Sequence, residues 1–208
     1  MHVNPVIFTL TVILIAVFVY MQWQKKKAQG PKPKVGAGLK PGAVAPPRPP
    51  KPAKPPEEVF ADLRRGAFAT DPASLGLSFE EHEPYGCLME VGLSSIVTLV
   101  CFSNGDASFC YQAGGGMTGG GVHEPIRKAA QEFVGLAAKA LPAMSLTTEQ
   151  PLPEPDTVRF YVLTPKGIFT TETHREDLQD PKGALGALFY AGQEVVTKMR
   201  QIQQQRAG

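Results

Sequence analysis

Acidic residues are missing from the first 56 positions of this 208-residue chain. That stretch holds nine Lys or Arg and no Asp or Glu, whereas the remaining residues hold twelve basic and nineteen acidic residues, a balance of −7. The net charge of +2 therefore conceals a basic arm and an acidic domain. Because phosphate contacts require local positive charge, the acidic domain argues against nucleic acid as a partner.

Cysteine is also scarce, since only Cys87, Cys101 and Cys110 occur and no two of them have C-x-x-C spacing. All three lie in apolar segments whose composition is typical of β-strands. We interpret them as buried, reduced thiols of a cytosolic domain. The alternatives are one disulfide with a spare thiol, or a reactive cysteine, but no His or Lys adjoins any of the three in sequence.

Motifs for catalysis and metal binding are absent as well. The chain has no G-x-S-x-G and no Gly-Lys-Ser/Thr. His123-Glu124 begins like the zinc motif H-E-x-x-H, but Arg127 stands where the second histidine is needed. His82 and His174 lie among acidic residues, which indicates solvated surface unless the fold gathers them. We therefore predict no catalytic residues, no metal and no cofactor.

An uncharged apolar run is present at the N-terminus, spanning Pro5–Trp23. Nineteen residues in a helix measure about 28 Å, close to the hydrocarbon thickness of a bilayer. Tyr20 and Trp23 lie at one end, where aromatic side chains favour the interface, and Lys25–Lys27 follow at once. Residues 1–24 are therefore predicted to be a transmembrane anchor in contact with membrane lipid.

The alternative, a cleaved signal peptide, needs a basic start and a small-residue cleavage site. Here the start is MHVN, no A-x-A follows the run, and KKK stands where cleavage is expected. Since basic residues cluster after the helix, we expect a single-pass protein of the inner (cytoplasmic) membrane with its N-terminus outside and its C-terminal domain in the cytoplasm. A periplasmic TonB-like arm would need the reverse topology and a basic start.

Residues 25–56 are predicted to be a basic, Pro-rich, disordered linker. Ten prolines fall within residues 28–56, a composition that cannot form a core. Such a segment is an extended, semi-rigid spacer that reaches up to about 80–90 Å. Its lysines are expected to attract anionic head groups. PPRPPKP is alternatively a polyproline ligand of the SH3 type.

Residues 57–208 are predicted to form a cytoplasmic α+β domain. The pattern predicts the order α-β-β-β-α-β-β-α, with an antiparallel sheet of about five strands and two long helices on one face. Gly66 is expected to end the first helix, and Asn104-Gly105 is the strongest hairpin signal. The predicted strands are 85–93, 94–103, 106–112, 157–164 and 168–174, and the predicted long helices are 125–141 and 184–205.

Glycine is concentrated in the stretch QAGGGMTGGGVHEPIRK, residues 112–128. Gly114-x-Gly116-x-x-Gly119 matches the dinucleotide fingerprint, but the context of a parallel βαβ unit and a later acidic residue fails. A small anionic ligand at the start of the following helix remains a hypothesis, with a flexible or tightly turned connection as the alternative. Its candidate residues are Gly114, Gly115, Gly116, Gly119, Gly120, Gly121 and Arg127.

Two further features need a tertiary explanation. Glu90 lies inside an apolar strand, so it either points to solvent by alternation or marks a sheet that is covered on both faces. Gly186 and Gly192 fall in the predicted last helix, where glycine costs about 1 kcal/mol relative to alanine. We expect these small residues to allow close packing on the sheet.

Two resemblances guide the functional hypothesis. The layout of one helix, a basic Pro-rich linker and a cytoplasmic α+β domain resembles that of membrane-anchored ZipA-like division proteins. DPASLGL, the GGG…GGG…HE…R loop and FYVLT…LFYAGQEV are similar to a bacterial domain family without an assigned function, over about residues 60–200.

These resemblances bring no catalytic residues. The predicted anchor and linker favour an adaptor or scaffold that binds another protein, because a long tether raises local concentration without fixing geometry. The alternative is a ligand sensor or enzyme that uses the Gly-rich loop 114–121 to hold an anionic or nucleotide ligand. A pocket lined by that loop, Arg127 and Arg159 would favour the alternative, and an exposed apolar patch would favour the adaptor.

The predicted topology can be tested with reporters fused to the C-terminus. We expect a reporter that works only in the cytoplasm to be active and one that works only in the periplasm to be silent, because the lysines follow the apolar run. The measurement is reporter activity in whole cells, normalised to the amount of fusion protein. Activity of the periplasmic reporter alone would reverse the orientation.

Overall fold

The computed structural model describes residues 54–207. Its three helices are α1 (Pro56–Phe68), α2 (Glu124–Ala140) and α3 (Ala184–Ala207). Its seven strands are β1 (Gly86–Val91), β2 (Val97–Phe102), β3 (Ala107–Tyr111), β4 (Gly116–Met117), β5 (Ser145–Thr147), β6 (Thr157–Thr164) and β7 (Gly167–His174). The predicted α+β class and antiparallel sheet are confirmed. The predicted anchor 1–24 and most of the linker 25–56 lie outside the described residues.

No helix within residues 54–207 is both long enough and apolar enough to cross a membrane.

The sheet has the strand order β4-β3-β2-β1-β6-β7-β5, and every neighbouring pair is antiparallel. Tight turns build its hairpins, as predicted. At the β2–β3 turn, Gly105 has φ 87° and its N–H donates to the Phe102 carbonyl at 2.8 Å. Strands β1 and β6 join the two hairpins at the centre of the sheet, with Met89 opposite Phe160.

The sheet is wider than the five strands predicted, because two short edge strands were missed. β4 forms within the Gly-rich loop, where Met117 pairs with Phe109. β5 lies in the segment predicted to be irregular, where Leu146 pairs with Phe169. Neither segment is long enough to show an alternating pattern, so each is defined by the strand beside it rather than by its own sequence.

Helices α2 and α3 cover one face of the sheet, as predicted, and bury the larger core. Phe133 of α2 and Leu188 and Met199 of α3 are fully buried against residues of β1, β2, β3 and β6. Gly192 explains how closely α3 approaches, since a Cβ there would lie 2.8 Å from the Met89 sulfur. The expectation that small residues serve close packing is confirmed for this glycine.

Helix α1 lies on the opposite face, over a smaller core that includes Leu88 and Tyr161. The helix does not end at Gly66 as predicted but continues to Phe68, because Ala67 is buried and the Phe68 ring packs edge-on against Tyr161 at 5.0 Å. The sheet is therefore covered on both faces. Of the two interpretations of Glu90, the two-sided sheet holds, and the side chain does not point to solvent.

Glu90 is fully buried beneath α1. Arg64 of α1 binds both of its carboxylate oxygens, with Nε 2.7 Å from Oε1 and Nη2 3.0 Å from Oε2. The Thr98 hydroxyl on the neighbouring strand also donates to Oε1, at 2.9 Å. A buried carboxylate is tolerated only with such partners, so Arg64 both satisfies Glu90 and fixes α1 on the sheet.

Replacement of Arg64 by alanine is expected to destabilise the domain by about 3 kcal/mol or more, because it leaves the Glu90 charge buried and unpaired. The matched control is Arg65→Ala, since the Arg65 side chain is 74% exposed and its pair with Asp62 lies at the surface. That change should stay within about 0.5 kcal/mol. Urea unfolding of both variants provides the measurement, and equal effects would contradict a structural role for the pair.

Candidate functional site

The Gly-rich loop is a packed connection for most of its length. Gly116 has φ 140°, and a Cβ there would lie 2.2 Å from the Phe109 carbonyl oxygen. A Cβ at Gly120 would lie 2.9 Å from the Met199 methyl, and one at Gly121 would lie 2.7 Å from the Gly105 oxygen. Each of these glycines is therefore needed where the loop touches β3, α3 or the β2–β3 turn. Gly119, in contrast, has nothing within 4 Å of its Cβ position.

Helix α3 holds the loop along its last turns. The Arg200 guanidinium donates to the Tyr111 hydroxyl at 2.8 Å, before the loop begins. The Gln203 amide donates to the Gly116 carbonyl at 2.9 Å, within the loop. Arg206 lies 2.7 Å from Nε2 of His123, after the loop ends. Sequence reasoning missed Arg200, Gln203 and Arg206, whose only signal is their spacing of three along the last helix.

Arg127, the cation predicted beside the loop, is engaged by its own helix. It pairs with Glu124, which also lies 3.3 Å from the Lys128 ammonium group. The strand before the loop, β3, runs antiparallel to both of its neighbours, which agrees with rejecting the dinucleotide fingerprint. Anion binding by Gly114–Gly121 stays a prediction.

The larger of two described clefts lies elsewhere, beside α1 on the second face of the sheet. It has a volume of about 590 Å³ and runs between α1, the segment after β5 and the start of β7. Its lining residues are Glu57, Phe60, Ala61, Arg64, Arg65, Phe68, Ala69, Gln112, Gln150, Leu152 and Ile168. We refer to it as the α1 cleft. None of the predicted loop residues, nor Arg159, is among these described lining residues.

The Arg64–Glu90 pair anchors one wall of the α1 cleft. Arg64 also donates to the Pro151 carbonyl at 3.1 Å and lies over the rings of Phe68 and Tyr161, at 5.0 and 5.6 Å from their centroids. Burial alone would lower the pKa of Arg64. The hydrogen bonds to Glu90 and the negative charge of Glu90 have the larger combined effect, so the pKa is raised. Burial, reinforced by the Glu90 charge, raises the pKa of the Tyr161 phenol. At neutral pH the Arg64 guanidinium is therefore charged, and the buried Tyr161 phenol beside it is protonated.

The polar groups that line the α1 cleft are the Glu57 carboxylate, the guanidinium groups of Arg64 and Arg65, and two side-chain amides. Among the described residues that line it there is no Ser, Thr, Cys, His, Asp or Lys. The carboxylate of Glu90 is occupied by Arg64 and Thr98. The side-chain amides of Gln112 and Gln150 are the polar groups best suited to a backbone, since each offers both a donor and an acceptor.

The three histidines within residues 54–207 are not brought together as a metal-binding group. His82 lies 3.2 Å from the Lys166 ammonium group and His123 contacts Arg206, while His174 ends β7. Within residues 54–207 no group of three His, Cys, Asp or Glu side chains is placed to hold a metal ion.

The three cysteines are free, buried thiols, as interpreted from the sequence. Cys87 and Cys101 lie directly opposite each other on β1 and β2, in the core beneath the long helices. Burial raises the pKa of all three thiols, that of Cys110 to about 11. At neutral pH they are protonated and therefore poor nucleophiles.

Comparisons with known proteins add no relative to this chain. No protein-family model, curated protein or solved structure matches it significantly.

The packing of the loop predicts that Gly116→Ala will destabilise the domain by about 2 kcal/mol, because the methyl group would meet a carbonyl and φ would be strained. The matched control is Gly135→Ala in the middle of α2, where nothing lies within 4 Å of the Cβ position. That change should stabilise by up to about 1 kcal/mol. Urea unfolding midpoints measure both, and a neutral Gly116→Ala would show that the loop is loose rather than packed.

Proposed function

We propose that this chain is a single-pass inner-membrane adaptor whose cytoplasmic α+β domain binds another protein. The observation that carries the proposal is the α1 cleft, which is largely apolar, offers amide groups and contains no Ser, Thr, Cys or His among its described lining residues. A volume of about 590 Å³ lies within the range of about 300–1,000 Å³ typical of binding pockets. It is large enough for one or two large side chains of a partner.

The position of the α1 cleft suits a tethered binder. α1 is the element that directly follows the predicted linker, so the cleft wall is the part of the domain nearest in sequence to the proposed anchor. A long tether raises the local concentration of the domain near the membrane without fixing its orientation, which favours recruitment. The acidic balance of residues 57–208 supports a protein partner over nucleic acid. The layout resembles that of ZipA-like proteins, which also supports this proposal.

A second candidate function is the binding of a small anion at the Gly-rich loop. The observation that favours it is that Arg200 and Arg206 stand at the two ends of the loop, where Arg200 donates to the Tyr111 hydroxyl and Arg206 contacts a His123 ring nitrogen. Opposed to it are the packed glycines and Glu124 at the start of α2. We therefore rank it below protein binding.

A photo-crosslinking residue at the exposed position 61 tests the adaptor in intact cells that express the full chain. We expect a crosslink to a partner protein that is at least tenfold weaker in the Leu152→Arg variant, because the new charge enters the cleft. The matched control is Leu77→Arg, since Leu77 is 48% and Leu152 38% exposed and Leu77 is not among the residues that line the cleft. Mass spectrometry of the crosslinked product provides the measurement.

The outcomes separate the two candidates. Equal loss in the Leu152→Arg and Leu77→Arg variants, or no crosslink at position 61, would refute protein binding at the α1 cleft. If the purified chain instead binds a nucleotide or inorganic phosphate, and Arg206→Ala abolishes that binding while Leu152→Arg does not, the Gly-rich loop is the site.

A further inference from the structure

The layer of long helices carries a second groove, on the side of the sheet opposite the α1 cleft. It has a volume of about 340 Å³ and lies between α2 and α3, and we call it the helix groove. Its lining residues are Ala129, Glu132, Leu136, Pro181, Ala187, Tyr190, Ala191 and Glu194. Three alanines and a leucine make the floor apolar and shallow, so a partner backbone can approach closely.

The two sides of the helix groove are acidic. Glu132 of α2 and Glu194 of α3 are both exposed, one on each helix. Glu194 pairs with Lys198 one turn along its own helix at 2.7 Å, whereas Glu132 forms no ion pair within residues 54–207. Carboxylates on both sides of an apolar floor are complementary to a segment that is apolar on one side and basic on its flanks.

The shape of the helix groove fits a helix. Its residues recur at intervals of three, four and seven on each helix, so it extends over about two turns, or about 10 Å. A third helix packs in such a seam when the residues beneath it are small. Tyr190, which is 43% exposed at the edge, is suited to anchor the contact, since tyrosine combines a large apolar ring with a hydroxyl.

A second copy of this chain is a poor occupant. In a two-fold contact the same surface meets itself, which would bring the Glu132 and Glu194 carboxylates of both copies into one interface. Like charges that are brought together at an interface oppose association.

We propose that the helix groove docks a basic amphipathic helix of a partner protein. This inference rests on the proposed adaptor function and extends it, because an adaptor needs two surfaces and the two described clefts lie on opposite faces of the sheet. The partner helix presents its apolar side to Ala129, Ala187 and Ala191, and its Lys or Arg side chains to Glu132 and Glu194.

The test replaces Tyr190 with a benzoyl-phenylalanine crosslinker, which keeps an aromatic ring at the edge of the groove. The full chain is crosslinked in cells and the captured peptide is sequenced. We expect a peptide with apolar residues at helical spacing and Lys or Arg on its flanks. The double variant Glu132→Lys/Glu194→Lys should lower the yield at least tenfold, because it reverses both charges of the groove.

The matched control is Glu149→Lys/Glu176→Lys, which makes the same change in net charge at exposed positions outside the groove and should leave the yield unchanged. Capture of an acidic peptide, of this chain itself or of its Pro-rich linker would overturn the inference, as would equal loss in both double variants. A missing crosslink at position 190 with a retained one at position 61 refutes the helix groove alone. Loss at both positions refutes the adaptor as well.

Discussion

The buried pair of Arg64 and Glu90 determines how the second face of the sheet is built. Glu90 cannot remain charged inside the domain without a partner, and Arg64 is the residue of α1 that reaches it. α1 is consequently held by a charged contact, and among its residues only Phe60 and Ala67 are buried, with 5% and 7% of their surface exposed. Apart from the Arg64–Glu90 pair, α1 packs on the sheet through few apolar side chains, among them Phe60, Ala67 and Phe68. The α1 cleft is the space left beside it.

The sheet supports this pair with a row of polar residues that lie opposite one another on adjacent strands. Thr98, Glu90, Arg159 and Glu172 follow in register across β2, β1, β6 and β7. Arg159 pairs with Glu172, and together with Arg64 and Glu90 the row carries two positive and two negative charges. Opposite charges on neighbouring strands stabilise one another, so the charged residues of this face compensate within the domain.

The parts of the fold that depend on local sequence were predictable, and those that depend on distant partners were not. Asn104-Gly105 specifies its hairpin through its own backbone preference, and the apolar stripe of α2 indicates the face that meets the sheet. The sequence around Glu90 gives no sign that its partner is Arg64, because Arg64 lies 26 residues earlier in the chain, on α1. The α1 cleft was missed for the same reason, because its walls come together only in the folded chain. The close packing of Gly116, Gly120 and Gly121 was likewise not visible in the sequence of the loop, because the atoms they approach belong to β3, α3 and the β2–β3 turn.

Because α1 forms one wall of the α1 cleft, the proposed binding there would be coupled to docking of α1. A partner that contacts both Phe68 on α1 and Leu152 across the cleft binds the docked arrangement and not the undocked one. By thermodynamic linkage such a partner would strengthen the attachment of α1, and the Arg64–Glu90 pair would in turn strengthen the proposed binding by keeping both walls in place. The helix groove lacks this coupling, since α2 and α3 are fixed by the larger core. If the chain is the proposed adaptor, binding at the α1 cleft should therefore depend on the Arg64–Glu90 pair, whereas binding at the helix groove should not.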